Sequence, residues 1–158
     1  MFRHSLRVLI LNCTSGRSET TFLTTIKESL GKDSESTFFD HVIFPPNVTY
    51  ASGNSQGGAW QTRSASPHSK LHSILDLTAK DVLTAELSTQ QAFSAAWSSL
   101  VPEFDPSHIH VLPSIEHAVR EVEKISTVSS KSVQALVTGS LHLVGGVIEV
   151  TGLSELAL

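Results

Sequence analysis

Apolar positions along the chain follow two alternating rhythms. From Arg7 to Leu11 they form a short continuous run, closed by the polar turn Asn12-Cys13-Thr14-Ser15-Gly16. A run of that length between turn formers suits a strand buried on both faces, as in a parallel sheet. Phe22, Leu23, Ile26 and Leu30 then recur at helical spacing, with Ser18 placed as N-cap, Glu19 in the first turn and Gly31 as the closing residue. The rhythm returns with a strand over Phe38–Phe44, stopped by Pro45-Pro46, which have no N–H to give a ladder. A helix over Ser88–Leu100 carries Ala92, Phe93, Ala96 and Leu100 along one stripe, with Trp97 read as core. A third strand is expected at His108–Leu112, then a helix from Ile115 with Ala118, Val119, Val122 and Ile125 on its apolar face. Glu116 and Arg120 on its polar side form an i,i+4 pair. A fourth strand, Val133–Val137, runs into Thr138-Gly139-Ser140 and the mixed segment Leu141–Val150.

Strands that are wholly apolar, alternating with amphipathic helices, predict an α/β layer with parallel strands. The chain is expected to form one domain over residues 1–158, with an insertion at about 51–80. From Ala51 to Ser69 the sequence is Ser-, Gly-, Gln-, Asn- and Thr-rich, with Trp60 as its one large apolar residue. That composition predicts a flexible surface insertion.

Composition narrows the function classes. A net charge of -4 and basic residues spread singly leave no stripe to neutralise a phosphate backbone, so no nucleic-acid or membrane partner is expected. Cys13 stands alone and cannot close an internal disulfide. Val8–Leu11 is too short for a signal-peptide core, and the sequons at Asn12 and Asn47 read as chance matches. An intracellular protein, cytoplasmic or mitochondrial, is expected.

Two turns carry candidate chemistry. In Leu136–Gly146 (LVTGSLHLVGG) an apolar strand ends in Thr-Gly-Ser, which places hydroxyls and backbone N–H groups where open α/β sheets bind ligands. The plainer alternative is that Gly139 makes the turn and Ser140 caps a helix. In Asn12–Ser18 (NCTSGRS), Arg17 has the fork to hold a carboxylate or phosphate, although an arginine at a helix start is often only solvated. His108-x-His110 would put two imidazoles on one face of a strand, but no neighbouring carboxylate or cysteine completes a ligand set. No metal site and no catalytic residue is assigned. The chain contains neither G-x-x-x-x-G-K-[ST] nor G-x-G-x-x-G.

The segment LVTGSLHLVGGVIEV closely resembles the C-terminal end of folylpolyglutamate synthases, which are Mur-type ligases. RVLILNCTSGRS, DHVIFPPNVT and HIHVLPSIEHAV resemble further segments of that family in the same order, from about Arg7 to Val150. The resemblance implies a Rossmann-like three-layer C-terminal domain with a mostly parallel sheet, lacking its first βα unit. The family ligates L-glutamate to the γ-carboxylate of reduced folates, using ATP and Mg²⁺ held by a separate N-terminal domain. It implies that Arg17 and Asn12 bind glutamate and that Ser140 and His142 line the site. Ser18 stands where many relatives carry an acidic residue. On these terms the chain alone is expected to be inactive, to hold no cofactor tightly, and to depend on a missing ATP-binding domain. The alternatives are a non-catalytic α/β binding module or a degenerate remnant.

Overall fold

A computed structural model of the chain describes residues 5–13, 18–30, 38–50 and 79–153, with side chains from 87 onward in the long helix. In chain order its elements are β1 (Leu6–Leu11), α1 (Glu19–Leu30), β2 (His41–Phe44), α2 (Ala79–Leu100), β3 (Ile109–Val111), α3 (Ile115–Ser129), β4 (Val133–Thr138) and α4 (Leu141–Val150). The four strands make one all-parallel sheet in the order β3-β2-β1-β4.

Alternation along β1 explains the three layers. Leu9 and Leu11 face one side, where Val42 and Phe44 of β2 meet Leu23 of α1 and Phe93 and Trp97 of α2. Val8 and Ile10 face the other, with Ile43, against Ile115 and Ala118 of α3 and Leu143 of α4. With helices on both faces, β1 and β2 bury every other residue in each direction, which is why both read as unbroken apolar runs. Phe44 and Phe93 stack at 5.7 Å between centroids, and Trp97 meets Phe104 edge-on at 5.5 Å. Trp97 is therefore core, as its position in the stripe implied.

Several boundaries shift from the sequence reading. β2 begins at His41 rather than Phe38, because Asp40 turns back: its Oδ2 accepts from the Arg7 N–H at 2.7 Å, and its own N–H donates to the Arg7 carbonyl. β3 is trimmed to three residues, since Asp105 caps a 3₁₀ turn at Pro106–His108 and draws His108 out of the ladder. α2 starts at Ala79, nine residues before the expected Ser88, so it also takes in the last two residues of the expected insertion. Ala92 lies outside the core stripe and is exposed. The rest of that insertion (51–78), like Gly31, lies outside the described residues.

α3 shows how one helix start is satisfied. Its first two N–H groups, on Ile115 and Glu116, donate to the carbonyls of Val48 and Thr49 at 2.8 and 2.9 Å. Ser114 Oγ accepts from the His117 N–H, and Ser114 Oγ and His117 Nδ1 lie 2.8 Å apart, so the hydroxyl proton can close a reciprocal cap. With those donors occupied, this helix end is a structural joint to the segment after β2.

Candidate functional site

The strand order reverses beside β1. The chain moves from β1 to β2 to β3 on one side, then crosses through α3 to β4 on the other. Such a reversal opens a crevice at the carboxyl ends of the two strands that flank it, here β1 and β4. Asn12, which opens one of the turns singled out from the sequence, and Gly139 and Ser140 of the other are there.

Asn12 follows β1 directly, one position beyond the Leu11–Thr138 pair of the ladder, and so stands beside Gly139. Gly139 has φ +111°, and a Cβ there would fall within the contact radius of the Asn12 carbonyl oxygen. Only glycine meets both demands, so the turn after β4 lies against Asn12. Ser140 then caps α4: it is 7% exposed, and its Oγ accepts from the His142 N–H at 3.2 Å. The plainer reading of Ser140, turn and cap, is thus what its geometry shows. His142 is exposed on the first turn of α4. Because α4 points its N-terminus at the crevice, its dipole favours negative charge there.

Asn12 is 3% exposed, and its Oδ1 accepts from Gln90 Nε2 of α2 at 3.2 Å. Gln90 was not legible locally, because its bond spans 78 residues and it stands among polar neighbours (Ser88-Thr89-Gln90-Gln91). Arg17, on the same turn as Asn12, lies outside the described residues.

A second feature occupies the opposite, amino end of the sheet. The ring of His41 at the start of β2 packs against His108 (4.1 Å between centroids, tilted) and His110 (5.5 Å), and its Nδ1 lies 3.2 Å from His110 Nε2. Glu121 of α3 stands 3.9 Å from His110 Nδ1. These side chains, with Leu6 and Ile125, line a cavity of about 310 Å³. Burial pushes the His41 pKa down to about 4, with the neighbouring His108 and His110 adding to the shift and Asp40 and Glu121 opposing it. His110 is also lowered, mainly by burial. The local reading saw only His108-x-His110; strand pairing brings His41 and Glu121 from afar. Among the described residues no three His, Cys, Asp or Glu side chains are placed to hold one metal ion.

Comparison with known proteins finds relatives over most of the chain. A folylpolyglutamate synthase from Neurospora crassa is 35% identical over 147 residues, 89% of this chain and 24% of that protein. The chain is a relative of the folylpolyglutamate synthases. A Dictyostelium discoideum protein provisionally named folylpolyglutamate synthase is 29% identical over 160 residues, 92% of this chain and again 24% of the relative. The chain therefore spans about a quarter of the length of the curated relatives it matches. No family model matches it, and no solved structure does. No helix among the described residues is long and apolar enough to cross a membrane.

Proposed function

We propose that this chain is the C-terminal, glutamate-binding part of a folylpolyglutamate synthase, a ligase that joins L-glutamate to the γ-carboxylate of a tetrahydrofolate at the expense of ATP. The observation that carries the reading is the meeting of Asn12, Gly139 and Ser140 at the crevice between β1 and β4 in a relative of these enzymes. Asn12 supplies a carboxamide at the crevice floor, and Arg17, five residues on, supplies a guanidinium suited to a carboxylate. The N-terminus of α4 adds a favourable dipole. Ser140 acts by holding that helix end in place, and His142 lines its rim.

ATP and Mg²⁺ do not fit the residues present. Neither G-x-x-x-x-G-K-[ST] nor G-x-G-x-x-G occurs in the sequence, and no triad of metal-binding side chains stands among the described residues. Phosphoryl transfer needs a cradle and a cation to stabilise the transferring group, so that step belongs to a part of the enzyme beyond this chain. The role left to these residues is to hold and orient the incoming glutamate.

Calorimetric titration of L-glutamate into the purified chain tests this. Saturable binding is expected, weakened about 10- to 100-fold by Arg17→Ala, as for a lost charge-assisted bond. An ATP-dependent ligation assay with tetrahydrofolate should be silent for the chain alone. Absence of glutamate binding, or turnover by the isolated chain, would overturn the reading.

A further inference from the structure

Gln90 is a polar residue that the core does not ask for. It is 3% exposed, on the same helix as the buried Phe93 and Trp97. Its Oε1 is buried without a hydrogen-bond partner among the described residues. Such an oxygen keeps a desolvation penalty that no described residue offsets, and a leucine would fill similar space without it. The interaction that distinguishes glutamine from leucine here is the Nε2–H bond to Asn12 Oδ1 at 3.2 Å.

That bond has a directional consequence. Oδ1 of Asn12 faces a donor on α2, so with Gln90 in the orientation found, turning the Asn12 carboxamide over alone would set two N–H donors against each other. Its Nδ2 is held on the side away from Gln90. The backbone of Asn12 is fixed as well, since its carbonyl packs against Gly139. A side chain with both its backbone and its amide plane fixed, at a strand's carboxyl end beside the switch point, is a preorganised donor.

We propose that Gln90 is a positioning residue of the crevice between β1 and β4, holding the Asn12 carboxamide so that its Nδ2 donates to a carboxylate ligand. The inference rests on the glutamate-binding reading above and names a part of that site which the turns alone do not reveal. Gln90 acts through Asn12 and does not itself touch the ligand.

The test is a double-variant cycle read by L-glutamate titration of the full chain, using Asn12→Ala, Gln90→Leu and the pair. Each single substitution should weaken binding about tenfold, the scale of one net hydrogen bond. The pair should be no weaker than Asn12→Ala alone, because Gln90 has nothing left to position. Gln90→Leu should leave the denaturation midpoint nearly unchanged, since one unpartnered acceptor (Oε1) is exchanged for another (Asn12 Oδ1). It should also shift the Asn12 side-chain NH₂ signals in a ¹⁵N spectrum. Gln90→Glu gives a second route: a carboxylate can only accept from Asn12, so it turns the carboxamide around and should weaken binding at least as much. Glutamate affinity unchanged in Gln90→Leu or Gln90→Glu, or losses that simply add in the pair, would overturn the positioning role while leaving the site itself standing. A wild-type chain that binds no glutamate would remove the site and this inference together.

Discussion

His41 shows what burial does to a titratable side chain at one position. Its ring contacts both His108 and His110 at the amino end of the sheet, with Asp40 and Glu121 nearby and Lys124 beyond Glu121. Desolvation and the neighbouring imidazoles outweigh the two carboxylates, so the neutral form is favoured down to about pH 4. The unfolded chain takes up a proton at an ordinary histidine pKa near 6.5. Between those values the unfolded state binds more protons than the folded one, so stability falls as pH falls. The contribution is complete above about pH 6.5 and is lost progressively toward pH 4. Denaturant midpoints measured across that window should decline, and His41→Phe should flatten the decline. An equal slope in the variant would place the titration elsewhere. Sequence reading missed this cluster because its members come from β2, the 3₁₀ turn, β3 and α3, and only His108-x-His110 is local.

At the scale of elements, what was legible in advance was whatever local periodicity and capping decide. The apolar face of α3 and the Ser140 cap follow from spacing and turn chemistry alone, and the structure places them accordingly. The early start of α2 and the shortened β2 and β3 were not legible. Their ends are set by Asp40 reaching back to Arg7 and by Asp105 capping its own turn, which periodicity does not report. The same division runs through the candidate site: Asn12 and Ser140 sit at strand ends, whereas Gln90 enters from a helix 78 residues away. Ser114 gives a measurable case of element-level control. It is fully buried and caps α3 while its hydroxyl also meets His117. Ser114→Ala leaves the His117 N–H without its acceptor and should cost about 1–2 kcal/mol in urea denaturation. A loss under about 0.5 kcal/mol would mean that the carbonyls of Val48 and Thr49 hold the helix start unaided.

On the scale of the whole molecule, the sheet is covered unevenly. Leu9 and Leu136 are ladder partners on adjacent parallel strands and so face the same side. Leu9 is fully buried, yet Leu136 is 41% exposed. β4 is also an edge of the sheet among the described residues, with Gln134 and Ala135 exposed beside Leu136. An apolar strand with an open row of N–H and C=O groups is a template for pairing with another strand. The curated relatives are about four times as long as the stretch they share with this chain. Sedimentation velocity over a range of concentrations should therefore show self-association of the isolated chain. Leu136→Lys puts a charge on the edge and should suppress it, while moving stability by no more than about 0.5 kcal/mol, as for a surface position. Association that persists in Leu136→Lys would place the contact elsewhere. A wild type that stays monomeric throughout would mean that the β4 edge is already protected.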